Sequence, residues 1–199
     1  MSDFSFDFEK YKQVLAQRES SGNPKAINRL GYVGLYQLGA PALIDAGLVK
    51  PGTTNKGLRN KNNWLHGLSL SAFLKSPMLQ DRALKDYTLQ NHRALMSKGM
   101  ISEDTDPTHI PALLAASHLV GATGAQQALV QGKDVKDKNN VKPQEYFQMM
   151  SSAFGGSKQP SVSQPETPPP QPEQSMMDSI GSGLRNPLER VTNWWKNVL

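Results

Sequence analysis

The sequence predicts a mainly α-helical globular domain over residues 1–154, a proline-rich linker over 155–175 and a short amphipathic helix over 176–199. Apolar residues recur at helical spacing through most of the first 154 residues, and no segment alternates convincingly at the period of two that is typical of a half-buried strand. Prolines then cluster after residue 155, where helical periodicity stops. A chain of 199 residues is long enough for one well-packed domain and an appendage.

The first predicted helix carries an apolar stripe that ends on an acidic residue. Phe4, Phe8, Tyr11 and Leu15 follow i, i+4, i+7 and i+11 spacing, and Glu19 continues the stripe at i+15. A Ser-Gly-Asn-Pro break follows almost at once, so this carboxyl group is expected at the edge of the core. Desolvation at such a place raises the pKa of a carboxyl group, which a general acid requires near neutral pH.

A glycine-rich segment follows the break. Gly31, Gly34 and Gly39 surround Gln37, and residues without a Cβ allow backbone and ligand to approach closely. The amide of Gln37 can both donate hydrogen bonds to a sugar and accept them from it.

Further helices are predicted along the rest of the domain. Asp106-Pro107 and Lys142-Pro143 resemble helix starts. The predicted helical stretches are 39–47, 69–75, 78–98, 109–120, 122–131 and 143–154.

The segment after residue 155 is predicted to be extended and semi-stiff, because a proline-rich composition cannot bury apolar surface. Its prolines are Pro160, Pro165, Pro168, Pro169, Pro170 and Pro172. A helix start follows, with Asn186 as cap, Pro187 at the first helical position and Glu189 three residues after the cap.

This last predicted helix has one apolar face that needs a partner. Docking on a protein of a larger assembly is the preferred interpretation, since the helix has a net charge of only about +1; a membrane surface and the chain's own domain are the alternatives. The apolar face comprises Leu184, Leu188, Val191, Trp195 and Leu199, widened by Trp194.

Composition and charge exclude several classes of function. The chain has no cysteine, so disulfides, thiolate metal sites and a cysteine nucleophile are excluded. The net charge of +5 lies on residues 1–154 without a run of Lys and Arg, which argues against nucleic acid and favours approach to other polyanions such as cell wall. The acidic N-terminus is not a secretory signal peptide, and no 18-residue apolar stretch predicts a membrane span.

Metal and cofactor sites are not predicted. His66, His92 and His109 show no ligand spacing with one another or with carboxylates. The oxygen-rich loop 134–140 looks like a calcium loop but lacks the glycine and final glutamate of an EF-hand, so a solvated turn is preferred.

The run Glu-Ser-x-x-Asn-Pro-x-Ala at residues 19–26, followed by Gly-x-x-Gly-Leu-x-Gln at 31–37, resembles the first two motifs of lytic transglycosylases of the goose-type lysozyme-like superfamily. It is especially similar to versions carried by bacteriophages and other wall-penetrating machines. The resemblance implies a lysozyme-like α fold and cleavage of the MurNAc–GlcNAc bond of peptidoglycan with formation of a 1,6-anhydro ring. It also implies that the protein is carried on a virion, acts in the host periplasm or cell wall during infection and needs no cofactor.

By this resemblance Glu19 matches the catalytic Glu, and Ser20 matches the Ser that supports it. Gly34, Tyr36 and Gln37 match the motif that shapes the sugar subsite, with Tyr36 in place of the usual Met.

Two later segments extend the match over about residues 8–154. Ser117 and His118 stand where the family usually has Tyr and Asn, so His118 is a candidate substrate-binding residue. Gln-Glu-Tyr-Phe at 144–147 resembles the closing segment, in which Tyr146 would lie near the catalytic Glu. No second carboxylate motif is convincing, and Asp45 is the nearest candidate. A hydrolytic glycosidase normally needs two carboxylates, whereas a lytic transglycosylase needs one.

Each candidate also has a purely structural interpretation. Glu19 could be a solvated helix end, Tyr36 and Gln37 could be core and turn residues, His118 a hydrogen-bonded core histidine and Tyr146 a core aromatic. Two alternatives to the transglycosylase stay open: a virion protein that keeps the fold to bind glycan with little turnover, and a hydrolytic lysozyme used in host lysis.

Overall fold

A computed structural model of the protein describes residues 4–155. Within this range six α-helices and no strand are present, so the prediction of a mainly α domain is confirmed. The predicted linker beyond Gly155 and the predicted C-terminal helix lie outside the described residues. The helices are α1 Phe8–Ser20, α2 Ala40–Asp45, α3 Leu70–Lys75, α4 Pro77–Ser97, α5 His109–Leu129 and α6 Pro143–Ala153, with short 3-10 helices at Lys56–Arg59 and Lys61–Asn63.

Helix α5 forms the centre of the packing. Every residue from Ile110 to Ser117 is buried, and a helix that is apolar on all sides must be enclosed by other elements. Helices α4 and α6 pack against it, and α1 packs against α6. Gly121 interrupts α5 with φ 72° and ψ 165°, which matches the predicted division between 109–120 and 122–131. None of the helices within residues 4–155 is long and apolar enough to cross a membrane.

The first helix begins later than the apolar stripe predicts. Asp7 is the N-cap, and its side chain accepts a hydrogen bond of 3.0 Å from the backbone N–H of Lys10. Phe4 therefore precedes α1, which corrects the prediction that the helical stripe starts there. Its ring is still buried, because it stacks on Phe8 with the ring centroids 4.7 Å apart.

Helix α1 ends where the sequence predicts a break. Ser21 and Gly22 both adopt positive φ values, 54° and 75°, which stop a right-handed helix. The following loop is held closed by paired backbone hydrogen bonds of 3.0 and 2.9 Å between Val33 and Leu38. Glu19 consequently lies in the last turn of α1, directly before this closed loop.

Candidate active site

Glu19 is largely enclosed and touches two side chains from distant helices. Its side chain is 13% exposed. The hydroxyl of Tyr146 in α6 donates a 2.7 Å hydrogen bond to Oε1, and Nε2 of His118 in α5 lies 3.5 Å from the same oxygen. The structure thus brings together three residues that the sequence placed in one site. Oε2 has no hydrogen-bond partner within residues 4–155, which leaves it available to a ligand.

Tyr146 is held as a hydrogen-bond donor. Burial, together with the charge of Glu19, raises the pKa of its hydroxyl well above the ordinary value, so the proton stays on the phenol. The guanidinium of Arg18 lies over the Tyr146 ring, 5.4 Å from its centroid, and the same group is 3.4 Å from the carboxylate of Glu145. Arg18 therefore stacks on the tyrosine instead of pairing with Glu19.

His118 supports the site as a neutral side chain. Burial lowers its pKa, and this effect outweighs the opposing influence of Glu19 and of the Tyr36 carbonyl. Because that carbonyl oxygen lies 2.9 Å from Nε2 and can only accept, Nε2 carries the proton in the neutral ring. No permanent cation within residues 4–155 therefore contacts the Glu19 carboxyl group.

We expect the lowered pKa of His118 to appear in the pH dependence of stability. Its pKa in the unfolded chain is about 6.5, so its contribution is present above that pH and is lost as the pH falls below it. Wild-type protein should lose more free energy of unfolding between pH 7.5 and 5 than His118→Gln, whose amide can still donate to Tyr36. Urea denaturation at both pH values measures this difference, and an equal loss in both proteins would contradict it.

Ser20 connects the glycine-rich loop to α1 through hydrogen bonds of its hydroxyl group. Its hydroxyl donates a 2.8 Å hydrogen bond to the backbone oxygen of Leu35, with the carbonyl of Ala16 at 3.2 Å. The family resemblance gives Ser20 a supporting role, and its contacts here are with backbone.

Gly34, Tyr36 and Gln37 shape this loop from within. Tyr36 is only 3% exposed, and its hydroxyl donates a 2.5 Å hydrogen bond to Asp81, so the ring supports the loop and does not line an open subsite. The amide nitrogen of Gln37 donates to the carbonyl of Gly34 at 3.0 Å, which leaves its oxygen as the group available to a ligand.

Gln80 was not predicted as a site residue, although its side chain forms hydrogen bonds with three separate segments of the chain. It is fully buried, and its amide oxygen accepts a 2.7 Å hydrogen bond from the backbone N–H of Leu35. Its amide nitrogen donates to the carbonyl oxygens of Pro24 and Phe73 at 3.1 and 2.9 Å. The signal in the sequence was a polar residue on the buried face of α4, where it shares the face with Leu84.

A side-chain Cβ on Gly34 would lie 2.5 Å from Oε1 of Gln80. Gly34 also has φ 79°, which disfavours other residues. The glycine of the second motif is therefore required by contact with Gln80.

Lys12 and Asp81 form a second network that the sequence did not suggest. Nζ of Lys12 lies 2.7 Å from Asp81 and 2.8 Å from Glu9. Burial alone would lower the pKa of Lys12, but these two carboxylates outweigh it and raise the pKa. Lys12 thereby holds Asp81 in position to accept the hydrogen bond from the Tyr36 hydroxyl. This fixes Tyr36, whose carbonyl oxygen accepts the hydrogen bond from His118.

The remaining candidates lie outside this cluster. Asp45 ends α2 and forms no hydrogen bond with Glu19, and burial raises its pKa. Asp134 in the oxygen-rich loop pairs with Lys136 and Lys142 at 3.3 and 3.2 Å, as in a solvated turn. Among residues 4–155, no three His, Asp or Glu side chains are grouped as a metal site would require.

Comparison of the chain with known protein families, with curated proteins and with solved structures finds no match. The geometry around Glu19 is therefore the basis for a functional assignment.

Proposed function

We propose that the protein is a peptidoglycan lytic transglycosylase with a lysozyme-like α fold, in which Glu19 is the acid and base. The observation that carries the proposal is the enclosed Glu19 carboxyl group, which accepts a hydrogen bond of 2.7 Å from Tyr146 on one oxygen and leaves the other available. The motif at residues 19–37 supports the assignment to this class of enzyme.

The reaction needs a single carboxyl group. Glu19 donates its proton to the glycosidic oxygen while the bond from that oxygen to C1 of the muramoyl residue breaks. The 6-hydroxyl of the same sugar then forms a bond to C1 and gives its proton to the Glu19 carboxylate. Glu19 ends protonated as it began, the product carries a 1,6-anhydro ring, and no water is consumed. Tyr146 holds the carboxyl group in position throughout.

The products test the proposal directly. Purified sacculi are digested with the full-length chain, and the released muropeptides are analysed by mass. Anhydro-muramoyl ends are expected. Reducing ends would instead identify a hydrolytic lysozyme, and intact sacculi that still bind the protein would identify a glycan-binding virion component. That last alternative is favoured by the burial of Tyr36, since the ring contributes no surface to a sugar subsite.

Tyr146→Phe is expected to lower turnover with little change in KM, because it removes the hydrogen bond that positions Glu19. The loss of one hydrogen bond to a charged group corresponds to a decrease of about 10-fold or more. Tyr32→Phe is the matched control, since the Tyr32 hydroxyl has no hydrogen bond within the described residues. Steady-state rates on solubilised glycan strands measure both variants. Equal rates for Tyr146→Phe and wild type would show that the Tyr146 hydroxyl does not contribute to turnover.

We further propose that residues 176–199 attach the enzyme to a virion or injection machine through Leu184, Leu188, Val191, Trp194 and Trp195. Deleting residues 176–199 is expected to abolish incorporation into particles. The purified truncated chain should keep its activity on sacculi. Immunoblots of purified particles measure incorporation. Normal incorporation of the truncated chain would exclude this role, and binding of the full chain to lipid vesicles would favour a membrane surface.

A further inference from the structure

A groove of about 570 Å³ lies beside the loop that follows α1, and four of the eight residues that line it are cationic. Lys25 comes from that loop, Arg59 and Lys61 from the two 3-10 helices and Lys75 from the end of α3. No acidic side chain lines the groove, and none of these four cations forms an ion pair with another described residue. The concentration of positive charge in a concave surface attracts anionic ligands.

The uncharged residues that line the groove indicate which kind of anion it can bind. Leu70 and Leu74 add an apolar strip, and Ser69 and Ser71 add hydroxyl groups that can bind amides or carboxylates. A short peptide with small apolar side chains and separate carboxylates fits this combination. A continuous polyphosphate would use the cations but would leave the apolar strip without a partner. The volume of the groove is also in the range of sites that bind a small ligand.

The groove and the candidate active site share one loop. Lys25 lies between Pro24, whose carbonyl accepts from Gln80, and Ala26, whose carbonyl accepts a 2.8 Å hydrogen bond from the backbone N–H of Gly34. This loop begins after Ser20, the last residue of α1 and the neighbour of Glu19 in sequence. A glycan strand bears its acidic peptides on the muramoyl residues, so a strand bound at Glu19 carries carboxylates close to its scissile bonds.

We propose that this groove binds the carboxylate-bearing stem peptide of peptidoglycan and thereby selects peptide-substituted strands. The inference rests on the proposed function, because it takes the glycan at Glu19 as given. Part of the recognition is electrostatic, and salt screens interactions between exposed charges, so binding should weaken as salt is raised.

Two triple variants of the full chain with the same change in charge test the groove. Lys25→Gln, Arg59→Gln and Lys61→Gln together remove cations of the groove. Arg93→Gln, Lys133→Gln and Lys138→Gln together remove one Arg and two Lys from exposed positions that do not line it. The probe is an N-acetylated stem tetrapeptide with free carboxylates, titrated by NMR, and the same peptide with carboxamides is the chemical control.

The groove variant is expected to bind the peptide about 10-fold more weakly, as the loss of three exposed ion pairs predicts. The control variant and wild type should bind alike, and the carboxamide peptide should bind weakly to both. The groove variant should also cleave sacculi more slowly while it cleaves peptide-free glycan at the wild-type rate.

Unchanged peptide affinity in the groove variant would overturn the proposal, as would tighter binding of poly(glycerol phosphate) than of the peptide in the same groove. If wild type cleaves neither substrate while the groove still binds the peptide, the transglycosylase assignment fails and the peptide site stands.

Discussion

Glu19→Gln is expected to lower the release of soluble muropeptides from sacculi by about 10²- to 10⁴-fold, the range that removal of a general acid typically produces. Glutamine has nearly the same shape, and its amide oxygen can still accept the hydrogen bond from Tyr146, so the fold should persist. What disappears is the proton that the glycosidic oxygen requires. Mass analysis of digests over a series of times measures the decrease.

Glu103→Gln is the matched control, because Glu103 is an exposed glutamate in the loop between α4 and α5. It should digest sacculi at the wild-type rate. Thermal unfolding of all three proteins separates a loss of chemistry from a loss of structure. Digestion by Glu19→Gln at the wild-type rate would show that another group supplies the proton.

Gln80→Leu is expected to lower the free energy of unfolding by about 3 kcal/mol, because a buried N–H and two carbonyl groups lose their partner at once. The affected groups belong to Leu35, Pro24 and Phe73, which are the segments that Gln80 holds together. Activity should fall as well, since the loop that Ser20 joins to α1, next to Glu19, becomes less ordered. Urea denaturation measures the first effect and the rate on glycan strands the second.

Gln90→Leu on the same helix provides the comparison, since Gln90 is exposed. It should change the free energy of unfolding by less than about 0.5 kcal/mol, as surface substitutions usually do. If the two variants were equally stable, the hydrogen bonds of Gln80 would contribute little to the fold.

The helices were predictable because their signals are local. The stretch predicted at 69–75 is α3 at Leu70–Lys75, and 78–98 is α4 at Pro77–Ser97. Lys142-Pro143 does begin α6, where the Glu145 side chain accepts a hydrogen bond from the N–H of Lys142. Periodicity and capping residues lie within a few positions of each other along the chain, so a single sequence displays them.

The contacts around the candidate site were less accessible to sequence reasoning. Motif spacing selected Glu19 and Tyr146, but the partners of the supporting residues lie far away in sequence. Tyr36 pairs with Asp81 and Leu35 with Gln80, each 45 positions apart. Such pairs leave no local pattern, because only packing of α4 against the loop brings them together. The cationic groove was not predictable for the same reason, since Lys25 and Lys75 are separated by 50 positions and only folding brings the segments that carry these charges together.

The hydrogen bond between Tyr146 and Glu19 joins residues 127 positions apart, in the first and last described helices. During synthesis the nascent chain emerges from its N-terminus, so α1 is available long before α6. The acid group cannot acquire its phenol partner until nearly the whole domain has been translated. A prematurely terminated product that stops before residue 146 would therefore lack this hydrogen bond and most of helix α6, which packs against α5, and we expect it to lose the proposed activity.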